Sequence, residues 1–237
     1  MNIFYDKEER NEDVLLFLHG WGCDGNVFAP ICRRLRQTCV TIDLWGFGKS
    51  KLPQKPMTVE DYADELKKFC DEIGLEKICL VAHSFGARIA VVFAAKYPEK
   101  VRGAVLTGAA GLKRFSAKRS LAVLRYKALK MMKKRGLFRG DLPRGSADYA
   151  ALSSDVMRRT FVLTVRQDLS RYAKKVQCPT LLFWGDSDSE TPLWMGRKYA
   201  RLVKNSSLCT VQGDHFAFLQ NAARFAAAVE VFVERLP

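Results

Sequence analysis

Ile78-Cys79-Leu80-Val81-Ala82-His83-Ser84-Phe85-Gly86-Ala87 is the stretch on which the fold turns. A short apolar run of strand length passes through a serine into a segment of helical period, Phe85 to Tyr97, that stops before Pro98. Strand, tight turn and helix in that order expose the serine hydroxyl at the carboxyl edge of a sheet and aim the first amides of the helix toward it. So strained a turn needs small residues on both sides. Gly86 meets that need, whereas Ala82 stands where a glycine is expected and adds one methyl group.

On either side of this stretch, further runs read as buried strands at Val14 to Leu18, Cys39 to Ile42, Ala104 to Thr107, Thr180 to Trp184 and Leu208 to Val211. Helical segments fit between them, the signature of a mostly parallel sheet flanked by helices, an α/β fold. Thr58 caps one helix with Asp61 three residues on; Leu66, Phe69, Cys70 and Ile73 form its inward stripe, and Gly74 ends it. Phe216 to Leu236 reads as a single last helix. The rhythm breaks at 111–175, where stripes of Leu121, Leu124, Ala128 and Met132 and of Met157, Phe161 and Thr164 suggest inserted helices. The domain reading is therefore a core of 1–110 with 176–237 and a helical insertion at 111–175.

Charge is divided unevenly between these parts. The insertion holds 18 basic and 4 acidic residues, which accounts for the whole formal charge of +14, because the rest of the chain is balanced. Lys127, Lys130, Lys133, Lys134 and Arg135 crowd one helix of it. Such a cluster concentrates anions. Three readings stand: an acidic protein partner docks there, an anionic membrane surface is touched, or the face is simply solvated. No nucleic-acid reading module accompanies the charge, so no specific nucleic acid is expected.

At 237 residues and 48% hydrophobic, the chain can bury a large core. No run is long enough to span a bilayer, and the start lacks a basic flank followed by an apolar segment, so the expectation is a cytoplasmic protein that is not exported. The seven scattered cysteines contain no C-x-x-C and read as free thiols in a reducing compartment. Neither a metal nor a cofactor is expected.

The chain has three histidines, at 19, 83 and 215. A serine becomes a nucleophile when a neighbouring base takes its proton, and imidazole is the usual base at neutral pH. His83, adjacent to Ser84, points its side chain elsewhere, and His19 before Gly20 suits the shaping of a loop. His215, in Gly213-Asp214-His215-Phe216 after an apolar run, remains as the base.

With these residues in view, the chain resembles the α/β-hydrolase-fold serine hydrolases, outside the insertion, in nearly all of its length. The resemblance implies the chain order serine, acid, histidine, here Ser84, Asp188 and His215. Asp188 lies three residues after Gly185 in Trp184-Gly185-Asp186-Ser187-Asp188-Ser189-Glu190-Thr191-Pro192, with Asp186 as a rival that could serve only the turn. It likewise implies that the backbone N–H groups of Trp21, in His19-Gly20-Trp21-Gly22, and of Phe85 meet the developing oxyanion. The insertion takes the place of the family's lid or cap, with Phe115, Leu121, Met132, Met157 and Phe161 as candidates to line the pocket.

Relatives that open epoxides or remove halides use an aspartate at the elbow, and serine here argues against those reactions. The expected chemistry is cleavage of a small-molecule or carrier-bound carboxylic ester or thioester through an acyl-enzyme. Carbon–carbon bond hydrolysis on the same residues, or a non-catalytic binding role, are the alternatives.

Overall fold

The computed structural model describes residues 3–113, 128–129, 131–133, 135, 152 and 154–237. Seven strands form one sheet: β1 (Phe4–Glu8), β2 (Val14–Leu18), β3 (Thr38–Asp43), β4 (Ile78–His83), β5 (Val101–Thr107), β6 (Thr180–Gly185) and β7 (Ser206–Val211), in the order β1-β3-β2-β4-β5-β6-β7. β1 runs antiparallel to β3, and every other neighbouring pair is parallel. The parallel strands are apolar runs because helices cover the sheet on both faces.

The helices among the described residues are α1 (Ala29–Cys32), α2 (Val59–Glu72), α3 (Phe85–Lys96), α4 (Asp155–Arg166), α5 (Ser170–Ala173), α6 (Leu193–Leu202), α7 (Ala217–Gln220) and α8 (Ala222–Glu234). The capping box forms as the sequence suggests, Thr58 and Asp61 exchanging side-chain and backbone bonds at the start of α2. Gly74 takes the left-handed φ of +72° just past its end.

Two expectations need correction. The sequence reading has no strand before Val14, but Phe4–Glu8 pairs with β3 through backbone bonds, its outer residues exposed. The last helix is two helices, broken at Asn221, whose side-chain amide donates to Gln212 O at 2.9 Å and Ala217 O at 3.0 Å.

Parallel register sets the functional edge. Ile42, Leu18, Ala82, Leu106, Leu182 and Leu208 form one row across β3, β2, β4, β5, β6 and β7. One residue beyond it come Asp43, His19, His83 and Thr107. Chemistry-bearing loops thus leave level strand ends on a single side, the usual place for a site in an open parallel sheet. On one face Phe17, Phe28, Phe183, Phe218 and Phe225 pack with Val229 and Val233 of α8. Each of these rings, fully buried, contributes roughly 2 kcal/mol relative to exposure.

The chain divides into two compact units, Met1–Leu112 with Ser154–Pro237, and Lys113–Ser153. In the second, residues 128–129 and 131–133 are helical, and most of the basic cluster lies outside the described residues. In the first, residues after Ser154 are bound to the α/β core. The buried Arg88 guanidinium of α3 donates to Thr164 O at 2.7 Å and Gln167 O at 3.3 Å, carbonyls at the C-terminal end of α4, the first of which also accepts from Gln167 N at 3.3 Å. Met57 N donates to Thr160 Oγ1 at 3.1 Å, and Glu60 accepts from Tyr172 at 2.7 Å and from Gln167.

Candidate active site

Ser84 stands between the end of β4 and the start of α3 with φ +49° and ψ −104°, the one non-glycine among the described residues with positive φ. That strain is held by its surroundings. Ser84 N donates to Thr107 O of β5 at 3.0 Å, and Ala110 N to Ser84 O at 3.4 Å. A Cβ at Gly86 would collide with the carbonyl oxygen of Leu18, so only glycine lets α3 approach the end of β2 this closely. Ala82 is fully buried within β4, and the extra methyl fits. Ser84 is partly exposed while its neighbours on both sides are buried.

His215 lies on the loop after β7 and Asp188 on the loop after β6. Asp188 Oδ2 accepts from His215 Nδ1 at 2.9 Å, which commits the Nδ1–H to the carboxylate and leaves Nε2 on the other side of the ring. Asp188 Oδ1 accepts from Glu190 N at 2.9 Å and Thr191 N at 2.8 Å, and its Oδ2 also accepts from the Thr191 hydroxyl at 2.7 Å. Burial pushes the Asp188 carboxyl up, but bonds from His215 and Thr191 outweigh it and hold the acid below the usual carboxylate range. Asp186 behaves otherwise. It is exposed, and its Oδ1 accepts from Ser187 Oγ at 2.8 Å and Gly213 N at 3.2 Å, the work of a turn.

His83 turns its ring inward, as expected of a residue adjoining Ser84, but the ring stays near the site. Its Nδ1–H donates to Thr107 O at 3.2 Å, and its centroid lies 4.6 Å from that of His215. Burial, and next the neighbouring His215, bring its pKa down to about 3, so it is neutral at physiological pH. A Cβ on Gly20 would sit 2.9 Å from His83 Cδ2 and 3.5 Å from Ser84 Cβ, which places the loop after β2 directly against the elbow.

His19 shapes that loop. Its Nε2 accepts from Leu44 N at 2.9 Å, so Nδ1 carries the proton and donates to Gly20 O at 2.7 Å. This orients the Gly20–Trp21 peptide. The Trp21 ring stands edge-on to Phe47, Phe85 and Phe161 with centroids 4.9, 5.0 and 4.9 Å away. Of the candidate pocket residues, Phe161 therefore adjoins the site. Met157 is buried against Gly46, Met132 is exposed, and Phe115 and Leu121 lie outside the described residues.

Sequence reasoning missed the His83–His215 contact and the role of Thr191. A threonine three residues after an acid whose carboxylate can bond forward was the available signal for the second. Among the described residues, no three His, Cys, Asp or Glu side chains converge as a metal site. No helix there is long and apolar enough to cross a membrane.

Residues 13–122 match the family described as the alpha/beta hydrolase fold, a span that takes in the loop after β2, the elbow and α3. This is an α/β-hydrolase-fold protein. It is 28% identical over 267 residues to a pimeloyl-[acyl-carrier protein] methyl ester esterase of Chromobacterium violaceum, covering 99% of each chain. Over 101 residues it is 37% identical to a 2-(acetamidomethylene)succinate hydrolase of Mesorhizobium japonicum, a match to 42% of this chain and 36% of that one. Among solved structures, a membrane phospholipase A superposes with a TM-score of 0.77 at 26% identity, over 98% of this chain and 82% of the other. The hydrolase-fold chain is thus similar to esterases and other hydrolases.

Proposed function

We propose that this protein is a serine hydrolase that cleaves a carboxylic ester or thioester through an acyl-enzyme on Ser84. The observation that carries the reading is the Asp188–His215 pair, 2.9 Å apart, at the same sheet edge as a serine in a strained strand-to-helix turn. In the first step Ser84 Oγ attacks the carbonyl carbon while His215 Nε2 takes its proton. The backbone N–H groups of Trp21 and Phe85 receive the oxyanion, already fixed by the loop and the helix start. Collapse of the intermediate expels the alcohol or thiol, which takes the proton from His215. Water, activated by the same nitrogen, then releases the acid. Asp188 holds the tautomer and stabilises the imidazolium without becoming protonated itself.

The favoured substrate is an acyl group presented on an acidic carrier. Two observations support that choice: the full-length similarity to a carrier-protein ester esterase, and the net charge of +14 held by 111–175. On this reading Phe161, edge-on to the Trp21 ring at 4.9 Å, stands on the wall of the acyl site. All seven cysteines are free thiols, which supports a cytoplasmic setting.

The test is turnover of p-nitrophenyl esters from acetate to long acyl chains by wild type and Ser84→Ala in parallel. Wild-type turnover with a loss of about 10⁴-fold or more in the variant is expected. Equal rates in both would sink the serine mechanism. A folded wild type that reacts covalently with a fluorophosphonate but turns over no p-nitrophenyl ester would point to a carrier-bound or a carbon–carbon substrate, and one that does neither to a binding role.

A further inference from the structure

Thr191 lies three residues past Asp188 on the loop between β6 and α6, 3% exposed. Its backbone N–H donates to Asp188 Oδ1 at 2.8 Å and its hydroxyl to Oδ2 at 2.7 Å. The same hydroxyl oxygen is 3.3 Å from His215 Nδ1. Oδ2 therefore serves two donors at once, the threonine hydroxyl and the histidine Nδ1–H, while Oδ1 serves the two backbone amides of Glu190 and Thr191. A carboxylate has about four acceptor positions, and these bonds fill them.

We propose that Thr191 is a positioning residue of the triad, its hydroxyl fixing the Asp188 carboxylate and drawing on the charge of Oδ2 that otherwise goes wholly to His215. The inference rests on the reading of Asp188 and His215 as acid and base. It has a direction that simple packing lacks. Without the hydroxyl, Oδ2 is a stronger partner for Nδ1–H, the imidazolium is favoured over imidazole, and the basic form of His215 appears only at higher pH.

Among the described residues, the other titratable groups facing His215 are few. His83 packs its ring against it from β4, with His19 behind it from the end of β2, and both are held toward the neutral form by burial. On its own loop, the Asp214 carboxylate turns to Phe216 N at 2.8 Å. These groups are untouched by a change at Thr191.

The experiment is the pH dependence, from pH 5 to 9, of the rate at which a fluorophosphonate labels Ser84, in wild type, Thr191→Val and Thr191→Ser. This readout needs no natural substrate. The acid limb should move up by about half a pH unit in the valine variant and return in the serine variant. Thermal unfolding is measured alongside, and Thr191→Ala makes the same deletion should valine not fold. An unmoved limb with a lowered unfolding temperature would make Thr191 merely structural and overturn the proposal, as would a downward shift or a serine variant that behaves like valine. Failure of the wild type to label at all would bring down the triad reading beneath it, a result distinct from the others.

Discussion

Ser84 follows β4 and Asp188 follows β6, the two strands that flank β5, yet the protein holds them by different means. At the elbow the control is steric. A positive φ on a serine, a glycine with no room for Cβ and the Gly20 loop pressed against His83 leave Ser84 a single place to be. At the acid the control is polar: four hydrogen bonds satisfy a carboxylate whose side chain is 1% exposed. Packing tolerates no added atom but is indifferent to charge. A bonded carboxylate has the opposite sensitivities, and the two regions should therefore fail differently.

The largest effect is expected where charge is removed without changing shape. Asp188→Asn should lower kcat by about 10³- to 10⁴-fold, through the wrong tautomer and a weaker imidazolium, with folding intact. Asp186→Asn should stay within about threefold, because only turn bonds are lost. Ester kinetics on both variants would decide, and the reverse ranking would overturn the choice of acid.

The elbow should instead break on one methyl group. Gly86→Ala drives a Cβ into Leu18 O, which is backbone and cannot swing aside, and a loss of roughly 3 kcal/mol is expected in denaturant unfolding. A variant as stable as wild type would show that the end of β2 yields easily to an added methyl group.

His83 sharpens the contrast, being packed like the elbow but titratable like the acid. Its folded pKa of about 3 lies below the usual histidine value, so below that value the unfolded chain binds the extra proton. Its contribution is complete above about pH 6.5 and is lost as pH falls toward 3, on the order of 2 kcal/mol by pH 5. Unfolding free energies at pH 7, 6 and 5 should fall less steeply in His83→Phe than in wild type. Parallel slopes would show that the ring already shares its proton in the native state.

The sequence exposed the sheet wherever burial on both faces made strands uniformly apolar, as in Leu15-Leu16-Phe17-Leu18 and Leu80-Val81-Ala82. It hid β1, where Phe4-Tyr5-Asp6-Lys7-Glu8 gains its place from backbone pairing with β3 at an edge that side chains barely cover. It hid the break in the last helix because Asn221 acts through a bond to Gln212, a partner that local periodicity does not reveal. The pairing of Asp188 with His215 was legible because only three histidines compete and one sits on a loop at the correct edge. The attachment of α4 was not, since it depends on Arg88, a basic residue that composition places at the surface and the fold buries.

One consequence of strand order concerns the making of the protein. The elbow needs Thr107 of β5, but its partner base stands at position 215, beyond β6 and β7. On the triad reading, a chain grown only just past residue 107 still lacks both the acid at position 188 and the base at position 215. On the same reading, a half-synthesised or truncated copy carries a serine with no base to take its proton.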